Sequence, residues 1–221
     1  MNTSQNRRSS SGHRPVCSAI LLAAGLGTRY KSTKQDILFH GIPLWQYPYQ
    51  TAISVLGRDR VVAVGKDIPG GATRTDSVIC GLEALPPDTE RVIILEATRP
   101  LVTQEQIIRL LDDSAPSVSF VRPLVDAIAY RDGRFIDRSE LYALVAPQAF
   151  DYQLLLSAYR SGKFTNMTDE TRVMLEFHGI KPHFIETESN LFKITYPGDL
   201  AMLESIFQAQ NSARTSAKHP R

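Results

Sequence analysis

Residues 21–35 read LLAAGLGTRYKSTKQ. The apolar run over 19–24 delivers the backbone into Gly25-Leu26-Gly27, and two cations, Arg29 and Lys34, follow closely. Glycines let the main chain pass near a bulky ligand and expose its N–H groups. A guanidinium and an ammonium can then reach the charge of a polyphosphate. Strand, glycine turn and trailing bases together predict a nucleoside triphosphate site. The dinucleotide fingerprint G-x-G-x-x-G fails here, because Tyr30 stands where its third glycine belongs, and no G-K-[ST] of the Walker pattern is present.

Working outward from this stretch, strand and helix signals alternate. Residues 17–24, 60–65, 91–97 and 117–122 read as buried strands. Residues 75–85 have helical spacing and stop at Pro86-Pro87. Residues 103–112 read as a helix opened by a capping box, Thr103 with Gln106. Such alternation of apolar strands with helices predicts an α/β fold with a mostly parallel sheet covered on both faces. The rhythm then changes. Residues 127–136 place two short runs around Asp132-Gly133, a hairpin signal. Helices return over 151–160 and 168–178, followed by Gly162 and Gly179. A strand over 183–187, the segment FKIT at 192–195 and a last helix opened by Pro197 complete the chain.

In open parallel sheets ligands sit beyond the carboxyl ends of the strands. The Gly25 loop, the Gly70-Gly71 turn, Glu96 and Arg99 all fall there, so they are expected to face one crevice. GGATRTDSVICGL (70–82) leads through Thr73, Asp76 and Ser77 into a helix whose N-terminus offers free N–H donors. In LEATRP, Glu96 either binds Mg²⁺ through oxygen or pairs with Arg99 at the sheet edge. His40, His178 and His183 have no Ser or Cys partner in a recognisable arrangement and read as structural or surface residues.

The 221 residues suit one domain with a real core, expected over 15–209 between polar tails at 1–14 and 210–221. The tails hold six of the 25 basic residues and no acid, so the body carries 19 against 23 acidic groups. A mildly acidic body gives no argument for nucleic-acid binding. No apolar run is long enough to span a membrane, and the leading MNTSQNRRSSSGHRP lacks a signal-peptide core. Cys17 and Cys80 read as buried free thiols, and nothing resembles a zinc ligand set, so a cytoplasmic protein is expected.

The ordered set AAGLGTR…KQ, GGATRTDSV, EATRPLV, APQAF, TDE and FKIT resembles the cytidylyltransferases that make CDP-methylerythritol, and their relatives acting on ribitol phosphate, other polyol phosphates or phosphonates. The resemblance runs from about Ala19 to about Glu204. It implies a Rossmann-like domain and a homodimer, with a protruding β-hairpin arm reaching over the neighbour's site; in this chain the arm, about 124–142, is short. It also implies that CTP is joined to a small anionic acceptor, with Mg²⁺ and release of pyrophosphate. By position, Ala23, Ala24, Gly25, Gly27, Arg29 and Lys34 would hold the triphosphate end. Gly71 and Ser77 would contact cytosine and ribose, Glu96 would hold the metal, and Lys193 would complete a catalytic clamp with Arg29 and Lys34. Arg138, Asp126 and Thr168 would bind the acceptor.

The chain departs from the family pattern at several points. Thr33 replaces a proline, Glu96 and Asn190 replace aspartates, Ala127 replaces a threonine, and the stretch between Val64 and Gly70 is short. Two other readings remain: a nucleotide-binding relative without turnover, and a sugar-phosphate nucleotidyltransferase using UTP or GTP.

Overall fold

The computed structural model describes residues 14–25, 33–188 and 191–217, with side chains as far as residue 209. Gly27, Arg29, Asn190 and nearly all of the expected N-terminal tail lie outside the described residues.

In chain order the elements are β1 (Cys17–Leu22), a small hairpin of β2 (Leu38–Phe39) and β3 (Ile42–Pro43), α1 (Gln46–Leu56), β4 (Val61–Val64), α2 (Arg74–Glu83), β5 (Arg91–Glu96), α3 (Gln104–Leu111) and β6 (Ser117–Pro123). A second hairpin, β7 (Ile128–Ala129) with β8 (Phe135–Ile136), precedes β9 (Tyr142–Asp151). The chain closes with α4 (Tyr152–Arg160), α5 (Glu170–His178), β10 (His183–Glu186) and α6 (Asp199–Ala217).

Six strands form the central sheet in the order β10-β6-β9-β5-β1-β4. β1 runs parallel to both β4 and β5, β10 runs parallel to β6, and β9 lies antiparallel between β5 and β6. The sheet is therefore mixed, with parallel pairing in the half that carries the glycine loop.

The two-residue period of the strands sorts side chains onto the two faces. Ala19, Leu21, Ile93 and Leu95 pack with Ala52 of α1 and Ile107 and Leu110 of α3. Ile20, Val92 and Ile94 point the other way, onto Val78 and Leu82 of α2, Leu155 of α4 and Val173 and Met174 of α5. All of these are buried. Each large apolar side chain so buried contributes roughly 1.5–3 kcal/mol, which is why residues 19–22 of β1 and 92–95 of β5 read as unbroken apolar runs.

β9 is the element the sequence reading did not find. It carries Pro147, which lacks a donor and normally marks an edge. The sheet accommodates it at a register shift: Ser119 pairs with Gln148, but Phe120 pairs with Val145, so Ala146 and Pro147 bulge out of the ladder.

The capping box at Thr103 and Gln106 forms as expected. The last helix starts later than expected: Pro197 precedes it, and Asp199 opens it by accepting hydrogen bonds from the N–H groups of Thr195 (2.6 Å) and Tyr196 (2.8 Å). It then runs to Ala217, into the stretch expected to be a tail. Its Leu203 packs with Phe39, Leu44 and Ile194.

Candidate active site

Past the carboxyl ends of β1, β4 and β5 lies a cleft of about 980 Å³. Ala23, Ala24, Gly25, Lys34, Gly71, Ser77, Glu96 and Lys193 all line it, so eight of the residues singled out in the sequence meet at one place. This convergence follows from the topology: three parallel strands end at one rim.

The floor is backbone. Ala23 donates its N–H to the Val64 carbonyl at 2.9 Å. Gly65 follows with φ of +93°, and a Cβ there would lie 2.6 Å from the Ala24 Cα. The crossover from β4 therefore lies directly against the main chain of the glycine loop, and only five residues, 65–69, separate β4 from the Gly70-Gly71 turn. Lys66, Asp67 and Ile68 of this short crossover line the cleft. They are functional candidates that no motif indicated. Lys66 pairs with Asp36 and lies 5.8 Å from the Trp45 ring centroid.

Gln35 anchors the other side of the loop. It is buried, and its Nε2 donates to the carbonyls of Ala23 (3.0 Å) and Gly25 (2.8 Å). Lys34 sits beside it on a turn of 3-10 helix, Lys34–Asp36, and is thereby set at the cleft wall. Gln35 was visible in the sequence only as part of a motif; its buried amide is what ties the loop's two ends together.

The second glycine turn is held by Ser77, whose hydroxyl donates to the Thr73 carbonyl at 3.0 Å and accepts the Gly71 N–H at 3.1 Å. A Cβ on Gly71 would come within 2.2 Å of the Asp76 Cβ. Asp76 itself closes a capping box with Thr73 at the start of α2. The Ser77 proton is thus committed to the fold, which leaves an oxygen lone pair for any ligand.

Glu96, at the end of β5, bridges two cations. Lys193 Nζ lies 2.7 Å from its Oε1 and Arg99 Nε lies 2.8 Å from its Oε2. Arg99 also donates to the Leu191 carbonyl, which fastens the FKIT segment to the sheet. Burial pushes the Glu96 carboxyl up, but the charges of Lys193 and Arg99 outweigh it and hold the group at about 2. Both readings of Glu96 can now be compared: the sheet-edge ion pair is formed.

The acceptor-binding expectations fall elsewhere. Asp126 is exposed at the root of the β7–β8 hairpin, Arg138 is exposed on a 3-10 turn beyond it, and neither lines the cleft. Thr168 is also exposed, just before α5. The arm projects with Val125 82% and Phe135 80% exposed.

Residues 41–209 match the family described as IspD, 2-C-methyl-D-erythritol 4-phosphate cytidylyltransferase. The chain belongs to the IspD family. The 2-C-methyl-D-erythritol 4-phosphate cytidylyltransferase of Haemophilus influenzae is 30% identical over 213 residues, spanning 84% of this chain and 94% of that protein. The bifunctional enzyme IspD/IspF of Nitratidesulfovibrio vulgaris is 33% identical over 84% of this chain, which covers only 57% of that relative's length. In fold, the chain superposes on the 4-diphosphocytidyl-2C-methyl-D-erythritol synthase of Anaerococcus prevotii with a TM-score of 0.73, at 24% identity, over 88% of this chain and 96% of that one. IspD proteins are nucleotidyltransferases that use CTP. Among the described residues no helix is long and apolar enough to cross a membrane.

Proposed function

We propose that this IspD-family chain is a cytidylyltransferase: it joins CTP to 2-C-methyl-D-erythritol 4-phosphate and releases pyrophosphate. The observation that carries the reading is the gathering of the two glycine turns, Lys34 and Lys193 around one cleft at the ends of β1, β4 and β5. The Gly70-Gly71 turn packs closely on Ala24 and Ser77, since a Cβ on Gly70 would lie 2.2 Å from the Ala24 Cβ, and a backbone wall of this kind suits a pyrimidine. Lys34, Lys193 and Arg29, the last outside the described residues, supply the positive charge.

The acceptor phosphate oxygen attacks the α-phosphorus of CTP in line with the departing pyrophosphate. Such chemistry needs positioning and charge stabilisation rather than a covalent nucleophile. Lys34 and Arg29 hold the β- and γ-phosphates and stabilise the leaving group. Lys193, steered by Glu96, meets the charge that develops at the α-phosphate. Arg138, Asp126 and Thr168 bind the acceptor. Because the first two sit on the exposed arm, they reach a cleft only in a homodimer, where the arm lies against the partner, and the exposed Val125 and Phe135 become its contact surface.

A protein-held magnesium ion does not fit the described residues. Both oxygens of Glu96 are engaged by cations, and among the described residues no cluster of three or more His, Cys, Asp or Glu side chains could hold a metal. The earlier expectation of Glu96 as metal ligand is replaced by a role in setting Lys193. The Mg²⁺ on which IspD enzymes generally depend would be carried by the phosphates of CTP and counts as substrate.

Pyrophosphate release is the test, measured with CTP, UTP, ATP and GTP against methylerythritol phosphate, ribitol phosphate and small phosphonates. Turnover with CTP and methylerythritol phosphate is expected. A purine preference, or CTP binding without turnover on any acceptor, overturns the reading. Light scattering is expected to give twice the chain mass.

A further inference from the structure

Glu170, the first residue of α5, is 0% exposed and does not line the cleft. Arg74 grips it with both nitrogens of its fork, NH1 to Oε1 at 2.6 Å and NH2 to Oε2 at 2.8 Å. The Tyr159 hydroxyl of α4 donates to Oε1 at 2.9 Å. A carboxylate taken out of water is tolerated only with such a full set of partners. Burial opposes the charge on Arg74, and Glu170 more than restores it, so the guanidinium stays protonated. Burial first, and the Glu170 charge second, push the Tyr159 hydroxyl upward, so it remains a donor.

Arg74 is more than a counter-ion. It is the first residue of α2, it lines the cleft, and it stands immediately after the turn that Ser77 and Gly71 shape. Its neighbour Thr75 accepts the Met167 N–H at 2.7 Å. The first turn of α2 is thus fastened by two neighbouring residues to segment 167–170, which contains Thr168. Between Thr168 and Glu170, Asp169 caps α5 through the Thr171 N–H at 2.9 Å and also accepts from Gln148 of β9 at 2.9 Å. Segment 167–170 is therefore held from both sides.

We propose that Glu170 is a positioning residue: through Arg74 it sets the Gly70–Arg74 turn against the nucleotide and, in the same lock, holds Met167–Thr168 beside that turn. The inference rests on the reading of the cleft as the CTP site and, for its effect on the acceptor, on the proposed acceptor contact of Thr168. A fork of two charged hydrogen bonds fixes a plane as well as a distance, so loss of the carboxylate lets the turn shift while the cleft residues themselves are intact.

The test is calorimetric titration of CTP into folded wild-type protein and into Glu170→Gln, Arg74→Lys and Tyr159→Phe, together with KM for both substrates and kcat. In Glu170→Gln the Kd for CTP and the KM for the acceptor are expected to rise together, each about tenfold or more, because small misplacements near reacting groups are costly. Arg74→Lys keeps the charge but loses the fork, and an intermediate rise is expected. Tyr159→Phe leaves the ion pair in place and serves if Glu170→Gln does not fold; a smaller rise in the same two constants is expected. A buried ion pair with a merely structural role would lower the melting temperature of these variants but leave Kd and KM at wild-type values, and that result overturns the proposal. Failure of wild-type protein to bind CTP overturns the CTP reading and this inference with it. Wild-type binding with unaltered constants in the folded variants overturns this inference alone.

Discussion

Lys193 Nζ lies 2.7 Å from Glu96 Oε1, although the two residues stand 97 positions apart in the chain. The pair joins the end of β5 to the segment before α6, and Arg99 holds the other carboxylate oxygen. This contact makes the pH dependence of stability predictable. The Glu96 carboxyl titrates at about 2 in the folded protein, against an ordinary 4.5. A group with a depressed folded value stabilises the fold above its unfolded value and loses that contribution as pH falls through the folded one. At neutral pH, Glu96→Gln is expected to unfold more easily by about 1–3 kcal/mol. The gap should narrow from about pH 4.5 down to about pH 2. Denaturant titrations of both proteins across that range check it; a constant gap down to pH 3 contradicts the assignment.

Lys34 and Lys193 reach the same cleft from opposite ends of the sequence. Replacing either by Ala should lower kcat/KM for CTP by on the order of 10²–10³, the usual effect of removing one preorganised charge from a transition state. Steady-state pyrophosphate release decides it, and wild-type turnover in both variants would remove these lysines from the mechanism.

The reach of the sequence can be judged from particular residues. Buried parallel strands announce themselves as apolar runs, so β1 and β5 were legible, and glycine turns placed the cleft at their ends. Capping boxes are local chemistry, and the one at Thr103 could be read directly. β9 was hidden because Pro147 argues against a central strand, and the bulge that admits it depends on the partner register with β6. Lys66 lay in no motif, and Glu170 showed only as the last residue of TDE, with no role attached, for a different reason. Their roles come from pairings 30 and 96 residues away, with Asp36 and Arg74, and no local pattern encodes such a distance. The pairing of Glu96 with Arg99 was one of two roles the sequence left open, since they are three residues apart; that with Lys193 was not among them.

Gln35 ties the carbonyls of Ala23 and Gly25 to the turn that carries Lys34. Gln35→Leu keeps the volume and removes both donors, leaving buried acceptors without their partner. Such a loss costs about 1–3 kcal/mol. Because the loop is also the cleft wall, the KM for CTP should rise while kcat/KM for the acceptor changes less. Thermal unfolding and substrate titrations separate the two effects. A variant with a lower melting temperature but unchanged KM for CTP would show that the amide serves stability alone.

Gly65 offers the sharpest test of the short crossover. Its φ of +93° lies in a region that side chains other than glycine rarely adopt, and a Cβ would stand 2.6–2.8 Å from the backbone of Ala23 and Ala24. Neither obstacle can be relieved by a rotamer change, since the opposing atoms are main chain. Gly65→Ala should therefore destabilise the protein by about 2–4 kcal/mol, combining backbone strain with overpacking. The displaced atoms belong to the glycine loop itself, so CTP affinity should fall in parallel with stability. Gly133→Ala is the control. Its φ is similar at +89°, but nothing lies within 4 Å of its Cβ position. It sits at the tip of the exposed arm and should cost only the backbone term, about 1–2 kcal/mol, with unchanged CTP affinity. Melting curves and CTP titrations on the two variants give the comparison, and equal losses of affinity in both would refute the close packing of the crossover on the loop.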